Sequence, residues 1–432
     1  MTAKLNTAPP RGTRDVLPDE VELRDAATQR ILAVYRSYGF RRIETPALES
    51  LALLAGSDGG ENEKLIFKIL KRGEDLERAQ RAGGELADLG LRFDLTVPLA
   101  RYYAENHAQL PDPLKAIQIG PVWRAERPQK GRYRQFTQCD IDVLGAVSPL
   151  VEIELILATS EALRAAFGLP ELTVRINDRR ILSRIARHCG FTEHDEAGFF
   201  ITFDKLDKVG AEGVLAELRQ SGRSAQAIAR FEALLATLQK GDLSLVALRV
   251  ALDAAGEPAF EWLDTIITAA AGALPQGARV QFDPTLVRGM GYYTGTIFEA
   301  VMPGFSGSVA GGGRYDRMIG KLLGRDVPAC GFSIGFERLV GILGERGGAP
   351  ATTVPGQPRR VALLVDEGTP IGPALAAARA LRAAGDWASL ELRRKNVGKQ
   401  LDDLARHGFD AHATLDPEGR PIVKPLTRRD RA

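Results

Sequence analysis

The sequence predicts an α+β fold: a large domain on an antiparallel sheet flanked by helices, broken by a mostly helical insertion, and a small C-terminal α/β domain. Three observations carry that expectation. Two apolar-alternating stretches flank a basic loop at 127–134 and read as a hairpin; residues from about 178 to 275 carry helical periods and few strand signals; and beyond a Gly-, Pro- and Thr-rich break, strand and helix signals alternate.

In chain order, Glu20–Tyr38 is an amphipathic helix candidate and Arg41–Pro46 a short strand. Leu91–Pro98 (LRFDLTVP) reads as a strand with Asp94 and Thr96 on one face. Ile117–Glu126 and Gln135–Gly145 are the hairpin strands, and alternation puts Gln138, Asp140 and Asp142 on one face of the second. The block 178–275 has Ala- and Leu-rich helical periods and no glycine-rich chemistry, which marks an insertion between two halves of a sheet. Thr296–Val301 has strand character, and Gly331–Leu339 (GFSIGFERL) runs from an apolar strand through Gly335 into a helix with Arg338 in its first turns. Residues 346–358 lack apolar periodicity and read as a linker, which gives domains at 1–345 and 359–432. In the second, Arg360–Val365 and Leu390–Arg394 are strands around a helix at Gly372–Ala384.

At 432 residues the chain exceeds the usual reach of one hydrophobic core. Its 57 Lys plus Arg against 55 Asp plus Glu give a net charge of +2, so any polyanion must be held by local basic clusters, and a pure nucleic-acid-binding module would be more basic. The tail 359–432, with 14 Lys plus Arg against 10 Asp plus Glu, is more basic than the body. Cys139, Cys189 and Cys330 lie far apart and make no paired metal-ligand pattern, which argues against a disulfide framework or structural zinc and fits a reducing cytoplasm. The polar start Met1–Arg14 has no apolar core of signal-peptide type and no long apolar run follows, so a soluble protein, neither exported nor in a membrane, is expected.

Four clusters could carry chemistry. In Arg124–Phe136 (RAERPQKGRYRQF), Arg124, Arg127, Lys130, Arg132 and Arg134 crowd together beside one carboxylate, Glu126. Guanidinium forks suit phosphate oxygens and Phe136 offers a face to a base; a solvated charged turn is the other reading. In Val309–Asp316 (VAGGGRYD), Gly311, Gly312 and Gly313 remove side chains so that a ligand or backbone can come close, without matching a dinucleotide fingerprint or phosphate loop; a flexible turn or bulge is the alternative. In Leu286–Glu299 (LVRGMGYYTGTIFE), Arg288 stands among small residues where it can reach a buried anion. There Tyr292 and Tyr293 face opposite sides of a strand-like stretch, so at most one lines the same pocket; a core tyrosine and a surface arginine would look the same. Last, the rows Asp94/Thr96 and Gln138/Asp140/Asp142, if buried, need a ligand to satisfy them and favour a cationic or amide-like group, whereas a half-exposed sheet would need none.

In order and spacing these pieces resemble the histidyl-tRNA synthetase family of class II aminoacyl-tRNA synthetases over nearly the whole chain. The likeness covers the opening RGTRDVLPDE, the first class II motif around Tyr38–Pro46, the motif 2 hairpin with ERPQKGRYRQF, both histidine-specific signatures and motif 3. The wording FDLT, QCDID and FDKLDK (Phe203–Lys208) is closer to the eukaryotic-type branch. The resemblance implies activation of histidine with ATP and Mg2+ to histidyl-adenylate, transfer to tRNA(His), a homodimer formed through motif 1, a cytoplasmic location, and a shortened anticodon-binding-like domain over 359–432.

It also implies roles. Arg124 would hold the α-phosphate and the histidine carboxylate, Glu126 the adenine amino group and Arg132 the outer phosphates, with adenine between Phe136 and Arg338. Asp94, Thr96 and Gln138 would meet the α-amino group; Asp142 and Tyr293, with Tyr292 beside them, would read the imidazole. Arg288 would join Arg124 and Gln138 in the catalytic set as a cation at the α-phosphate. Gly311, Gly312 and Gly313 would be a glycine loop that admits substrate close to the sheet, and no metal ligand is assigned. Gly291 stands where the family signature carries Asp. The alternative is a histidine-sensing relative, the regulatory subunit of ATP phosphoribosyltransferase; such relatives commonly lose cations of the kind retained here as Arg124, Arg132, Arg288 and Arg338.

Overall fold

The computed structural model describes residues 6–56, 61–128, 132–238, 244–287, 292–305, 307–345 and 358–426. Its strands are β1 (Arg41–Arg42), β2 (Leu48–Ser50), β3 (Lys68–Leu70), β4 (Ala87–Leu91), β5 (Leu114–Trp123), β6 (Gln135–Leu144), β7 (Leu172–Asp178), β8 (Ala278–Phe282), β9 (Thr296–Val301), β10 (Ser308–Arg314), β11 (Ala329–Ile334), β12 (Arg360–Val365), β13 (Trp387–Leu392), β14 (Ala411–Leu415) and β15 (Pro421–Pro425). Two units emerge: Met1–Asp15 with Asp25–Ile342, and Val16–Arg24 with Leu343–Ala432.

The first unit is organised by a sheet of order β1-β5-β6-β11-β10-β9-β7-β8. Its inner pairs are antiparallel, while β1·β5 and β7·β8 at the edges are parallel. The β5–β6 hairpin pairs Leu114 with Leu144 through to Trp123 with Gln135. Alternation sends Ile117, Cys139 and Ile141 to one face, where all are fully buried, and Gln138, Asp140 and Asp142 to the other. The helix Pro149–Phe167 packs against β11 and β6. It starts where Ser148 accepts a hydrogen bond from Leu150 N with proline in the first turn, and it stops at Gly168 in a left-handed conformation, φ 62°.

Between β7 and β8 the described residues form six helices, Arg179–Cys189, Glu193–Phe203, Leu206–Gln220, Ala225–Leu238, Leu245–Ala251 and Pro258–Ala273. Their core is aromatic: the Phe199 ring lies 4.8 Å from Phe191 and 4.9 Å from Phe231, and Phe203 lies 5.2 Å from Phe231. A second small sheet, β2-β4-β3, closes over Leu54, Ile66, Phe93 and Val97. In the other unit β12 runs parallel to β13 and β14, β15 pairs antiparallel with β14, and the helices Ile371–Ala383 and Val397–Arg406 make the crossovers.

Three local expectations are corrected. The strand foreseen at Arg41–Pro46 is only Arg41–Arg42 long, because Thr45 and Pro46 instead turn their carbonyls onto the buried Arg92 guanidinium at 2.8 and 3.3 Å. The strand foreseen at Leu91–Pro98 ends at Leu91, and a helix, Thr96–Asn106, begins within it. Asp94 Oδ1 accepts Val97 N at 3.0 Å, a side-chain cap that competes with a ladder, and Pro98 has no N–H to give one. The three glycines lie in neither a loop nor a turn; they are the middle of β10, flanked by β9 and β11, with a register shift just before them between Ser308 and Ala310.

Candidate active site

One cavity opens on the polar face of the large sheet. Asp94, Thr96, Arg124, Glu126, Arg132, Phe136, Gln138, Asp142, Tyr292, Tyr293, Gly311, Gly312, Gly313 and Arg338 all line it. Arg288 and Gly291, with Lys130, lie outside the described residues. The segment leading to Arg288 is held firmly, since buried Asn177 donates to Pro284 O at 3.2 Å and Leu286 O at 3.0 Å; past it, Thr294 N donates to Arg314 O at 2.8 Å.

The glycines form the floor. A Cβ on Gly312 would fall 2.0 Å from Gly331 O, and one on Gly313 would fall 2.7 Å from Thr296 O and 2.8 Å from the Tyr293 ring. Neighbouring strands and the aromatic wall therefore leave no room for side chains. Both tyrosines line the cavity, with centroids 4.6 Å apart, against the expectation that at most one would. They precede β9, which starts at Thr296, so strand alternation does not govern them.

The basic loop divides its labour. Arg124 Nε donates to Phe93 O at 3.0 Å and its guanidinium lies 5.0 Å from the Phe136 ring centre. Arg132 pairs with Glu126 at 2.8 Å. Arg134 instead braces the loop, its Nε to Glu126 O at 3.0 Å and its N to Gly12 O at 2.7 Å. The N-terminal segment is thus strapped to the hairpin, and Arg14 lies 4.9 Å from the Tyr133 ring and 3.8 Å from Glu337. Arg338 Nη1 donates to Ser308 O at 2.8 Å from the first turn of the helix Phe336–Glu345.

Opposite charge gathers in the same cavity. Asp94, Asp140 and Asp142 are 2, 4 and 3% exposed. Burial pushes the Asp142 carboxyl up to about 7, a shift moderated by the Tyr315 hydroxyl, which donates to Oδ1 at 2.6 Å, and reinforced by Asp94. Burial, then the Asp142 charge, holds Asp140 well above the usual carboxylate range. Asp142 Oδ2 and Gln138 Oε1 are buried with no hydrogen-bond partner among the described residues. Buried carboxylates and acceptors crowded along one cavity are satisfied by a ligand that brings cationic or N–H groups. Sequence reasoning missed Tyr315 and Ser333, which also line the cavity. Tyr315 adjoins the glycines and could have been weighed with them; Ser333 in GFSIGFERL gives no sequence signal.

Behind the floor, Arg314 meets the fully buried Glu152 through two contacts of 2.8 Å. Asp316 at 3.1 Å and Trp262 Nε1, which donates to Glu152 Oε1 at 3.1 Å, complete the cluster. It fixes the residues on both sides of Tyr315.

The family model described as histidyl-tRNA synthetase matches residues 12–339. A histidine–tRNA ligase of Leifsonia xyli is 49% identical over 437 residues, covering 97% of this chain and 98% of the relative. A probable histidine–tRNA ligase of Tropheryma whipplei is 39% identical, covering 98% of this chain and 100% of the relative. Among solved structures, histidyl-tRNA synthetase from Nostoc sp. PCC 7120 superposes with a TM-score of 0.78 at 28% identity, over 98% of this chain and 97% of that one. A Bacillus halodurans structure described as an ATP phosphoribosyltransferase regulatory subunit/histidyl-tRNA synthetase shares the fold, with a TM-score of 0.74 at 22% identity over 93% and 97% of the two chains. With its family signature spread over most of its length and a near-full-length relative at 49% identity, the chain belongs to the histidyl-tRNA synthetase family.

Proposed function

We propose that the chain is a histidine–tRNA ligase, activating histidine with ATP and passing the histidyl group to tRNA(His). One observation carries this beyond family membership: a single cavity joins Arg124, Phe136 and Arg338, suited to a nucleotide, to Asp94, Gln138 and Asp142, suited to an ammonium and an imidazole N–H. In the first step a histidine carboxylate oxygen attacks the α-phosphorus of ATP, the bond to the bridging oxygen breaks, and pyrophosphate leaves with the electron pair. In the second, a terminal ribose hydroxyl of tRNA attacks the carbonyl carbon, the bond from that carbon to the phosphate oxygen breaks, AMP leaves with the electron pair, and the hydroxyl proton is released. Neither step needs an enzyme nucleophile; fixed positive charge and positioning suffice.

Arg124 and Arg288 neutralise the α-phosphate as it becomes crowded with charge, and Phe136 and Arg338 enclose adenine. In the free site Glu126 and Arg132 hold each other; ATP separates them, drawing Arg132 to the outer phosphates and freeing Glu126 for the adenine amino group. Asp94, Thr96 and Gln138 receive the α-ammonium, and Asp142 with the two tyrosines reads the ring. Among the described residues no group of three or more His, Cys, Asp or Glu is placed to hold a metal ion. Mg2+ would come with the nucleotide and would neutralise phosphate charge, and no residue of this chain is assigned to hold it. The unit containing residues 359–426 is assigned to the anticodon.

The chain forms a homodimer through motif 1, a reading supported by the exposed Leu48 that follows it and by Leu70, Leu86 and Leu89 around the β2-β4-β3 sheet. The tRNA substrate supports a cytoplasmic location, and among the described residues no helix is long and apolar enough to cross a membrane. A non-catalytic histidine sensor would need none of the nucleotide cations. Histidine-dependent exchange of pyrophosphate into ATP tests the reaction: the wild type should exchange and Arg288→Ala should lose most of that rate. A wild type that does not exchange with histidine defeats the proposal, and equal tRNA charging with and without residues 359–432 removes the anticodon role.

A further inference from the structure

Three polar side chains on the cavity floor make a closed set that the chemistry above leaves unexplained. Asp140 on β6 sits opposite Ser333 on β11. The Ser333 hydroxyl donates a short hydrogen bond to Asp140 Oδ1. Gln138 Nε2 donates to Ser333 Oγ at 3.3 Å and to Asp140 Oδ2 at 3.4 Å. Both amide protons are therefore directed at floor acceptors, and Oε1 is left buried, without a partner among the described residues, on a side chain that lines the cavity.

The two ends of an amide are nearly equal in shape and opposite in function, so fixed neighbours decide which end meets a ligand. Ser333 donates to Asp140 Oδ1 and Gln138 to Oδ2, so both Asp140 oxygens serve here as acceptors, and in that role they hold Nε2 and cannot hold Oε1. We propose that Asp140, supported by Ser333, is a positioning residue that locks the Gln138 amide with Oε1 toward the α-ammonium of histidine. An inverted amide would turn N–H groups onto an ammonium, a repulsive contact at a buried end of the side chain. This rests on the proposed assignment of Gln138 to the α-amino group.

The test compares wild type, Asp140→Asn, Ser333→Ala and the double variant Asp140→Asn/Gln138→Glu in pyrophosphate exchange. Asparagine keeps the shape of Asp140 but can donate to Oε1, so the glutamine is free to invert. Asp140→Asn should raise KM for histidine about tenfold, the scale of one charge-assisted hydrogen bond. KM for ATP should stay within about twofold, and so should inhibition by 3-(imidazol-4-yl)propionate, which lacks the amino group. Glutamate at 138 presents oxygen at both ends and cannot be inverted, so the double variant should recover histidine KM to within about threefold of wild type. Ser333→Ala should shift histidine KM in the same direction by less.

If the wild type does not exchange with histidine, the proposed function itself fails. If it exchanges but Asp140→Asn leaves histidine KM unchanged, raises it together with the analogue's inhibition constant, or gains nothing from glutamate at 138, the orienting role is overturned. Should Asp140→Asn not fold, Ser333→Ala decides, and an unchanged histidine KM there overturns it equally.

Discussion

Removing the Tyr315 hydroxyl should move the pH at which the enzyme accepts histidine. Tyr315 is 2% exposed and its hydroxyl donates to Asp142 Oδ1 at 2.6 Å, stabilising the charged carboxylate, whose pKa burial has pushed up to about 7. A hydrogen bond to a charged group is worth about 1.5 kcal/mol or more, and each pKa unit corresponds to about 1.36 kcal/mol. Tyr315→Phe should therefore raise the Asp142 pKa by about one unit, to roughly 8. In the proposed pairing of Asp142 with the imidazole N–H the charged form is required, and its share at pH 7 would fall from about half to about a tenth. The kcat/KM for histidine in pyrophosphate exchange should drop about fivefold at pH 7, and the gap should close to less than about twofold by pH 8.5. KM for ATP at saturating histidine should hardly move. A variant profile that superposes on wild type, or lies below it by the same factor at every pH, would refute the coupling of Tyr315 to the Asp142 charge.

Other consequences follow from the same contacts. Because Asp142 binds its proton more tightly folded than unfolded, its penalty is absent below its unfolded pKa of about 4 and complete above about pH 7. Asp142→Asn should therefore raise the melting temperature of the free protein at pH 8, with a gain that shrinks toward pH 5, while abolishing histidine-dependent exchange; a gain independent of pH would contradict this. A Cβ on Gly331 would lie 1.9 Å from Asp142 Oδ1, so Gly331→Ala must displace the carboxylate. Histidine KM should rise about tenfold or more with ATP KM within about twofold, and parallel changes in both constants would count against the placement. Glu152→Gln breaks a fully buried, two-point ion pair with Arg314. It should cost about 3 kcal/mol in urea unfolding followed by tryptophan fluorescence, with Glu152→Met/Arg314→Met recovering much of it. A loss below about 1 kcal/mol would show that the pair is not desolvated as drawn.

Much of the frame was legible because it obeys local rules. The hairpin strands alternate, the insertion keeps a helical period, and the βαβ rhythm after the break repeats within the reach of one turn. The shared face of the candidate residues on β6 was legible for the same reason: Gln138, Asp140 and Asp142 are two apart. Other features depend on contacts that sequence distance hides. Asp94 reads as a strand residue until its carboxylate is seen capping Val97. Tyr315 and Ser333 enter through hydrogen bonds spanning 173 and 193 residues, and no local pattern encodes such partners.

The glycines show why cross-strand register decides this site. Three successive glycines weaken a strand taken alone, since they give it no side chain to pack and the most backbone freedom to lose; β9 and β11 impose strand geometry by pairing with both edges. That pairing lays one polar row across the sheet: Gln118 beside Asp140, Asp140 beside Ser333, Ser333 beside Gly311, Gly311 beside Glu299, and Glu299 beside Arg175. The row is continuous except at Gly311, where a side chain is missing and the cavity floor is bare backbone. A slip of β11 by one residue would replace Ser333 with Phe332 or Ile334 beside Asp140 and turn the hydroxyl away from the cavity. The carboxylate would then face an apolar wall and the Gln138 amide would lose its anchor. Recognition in the proposed site is therefore a property of strand pairing as much as of the residues themselves, which accounts for glycine, a poor strand former, at the centre of the sheet.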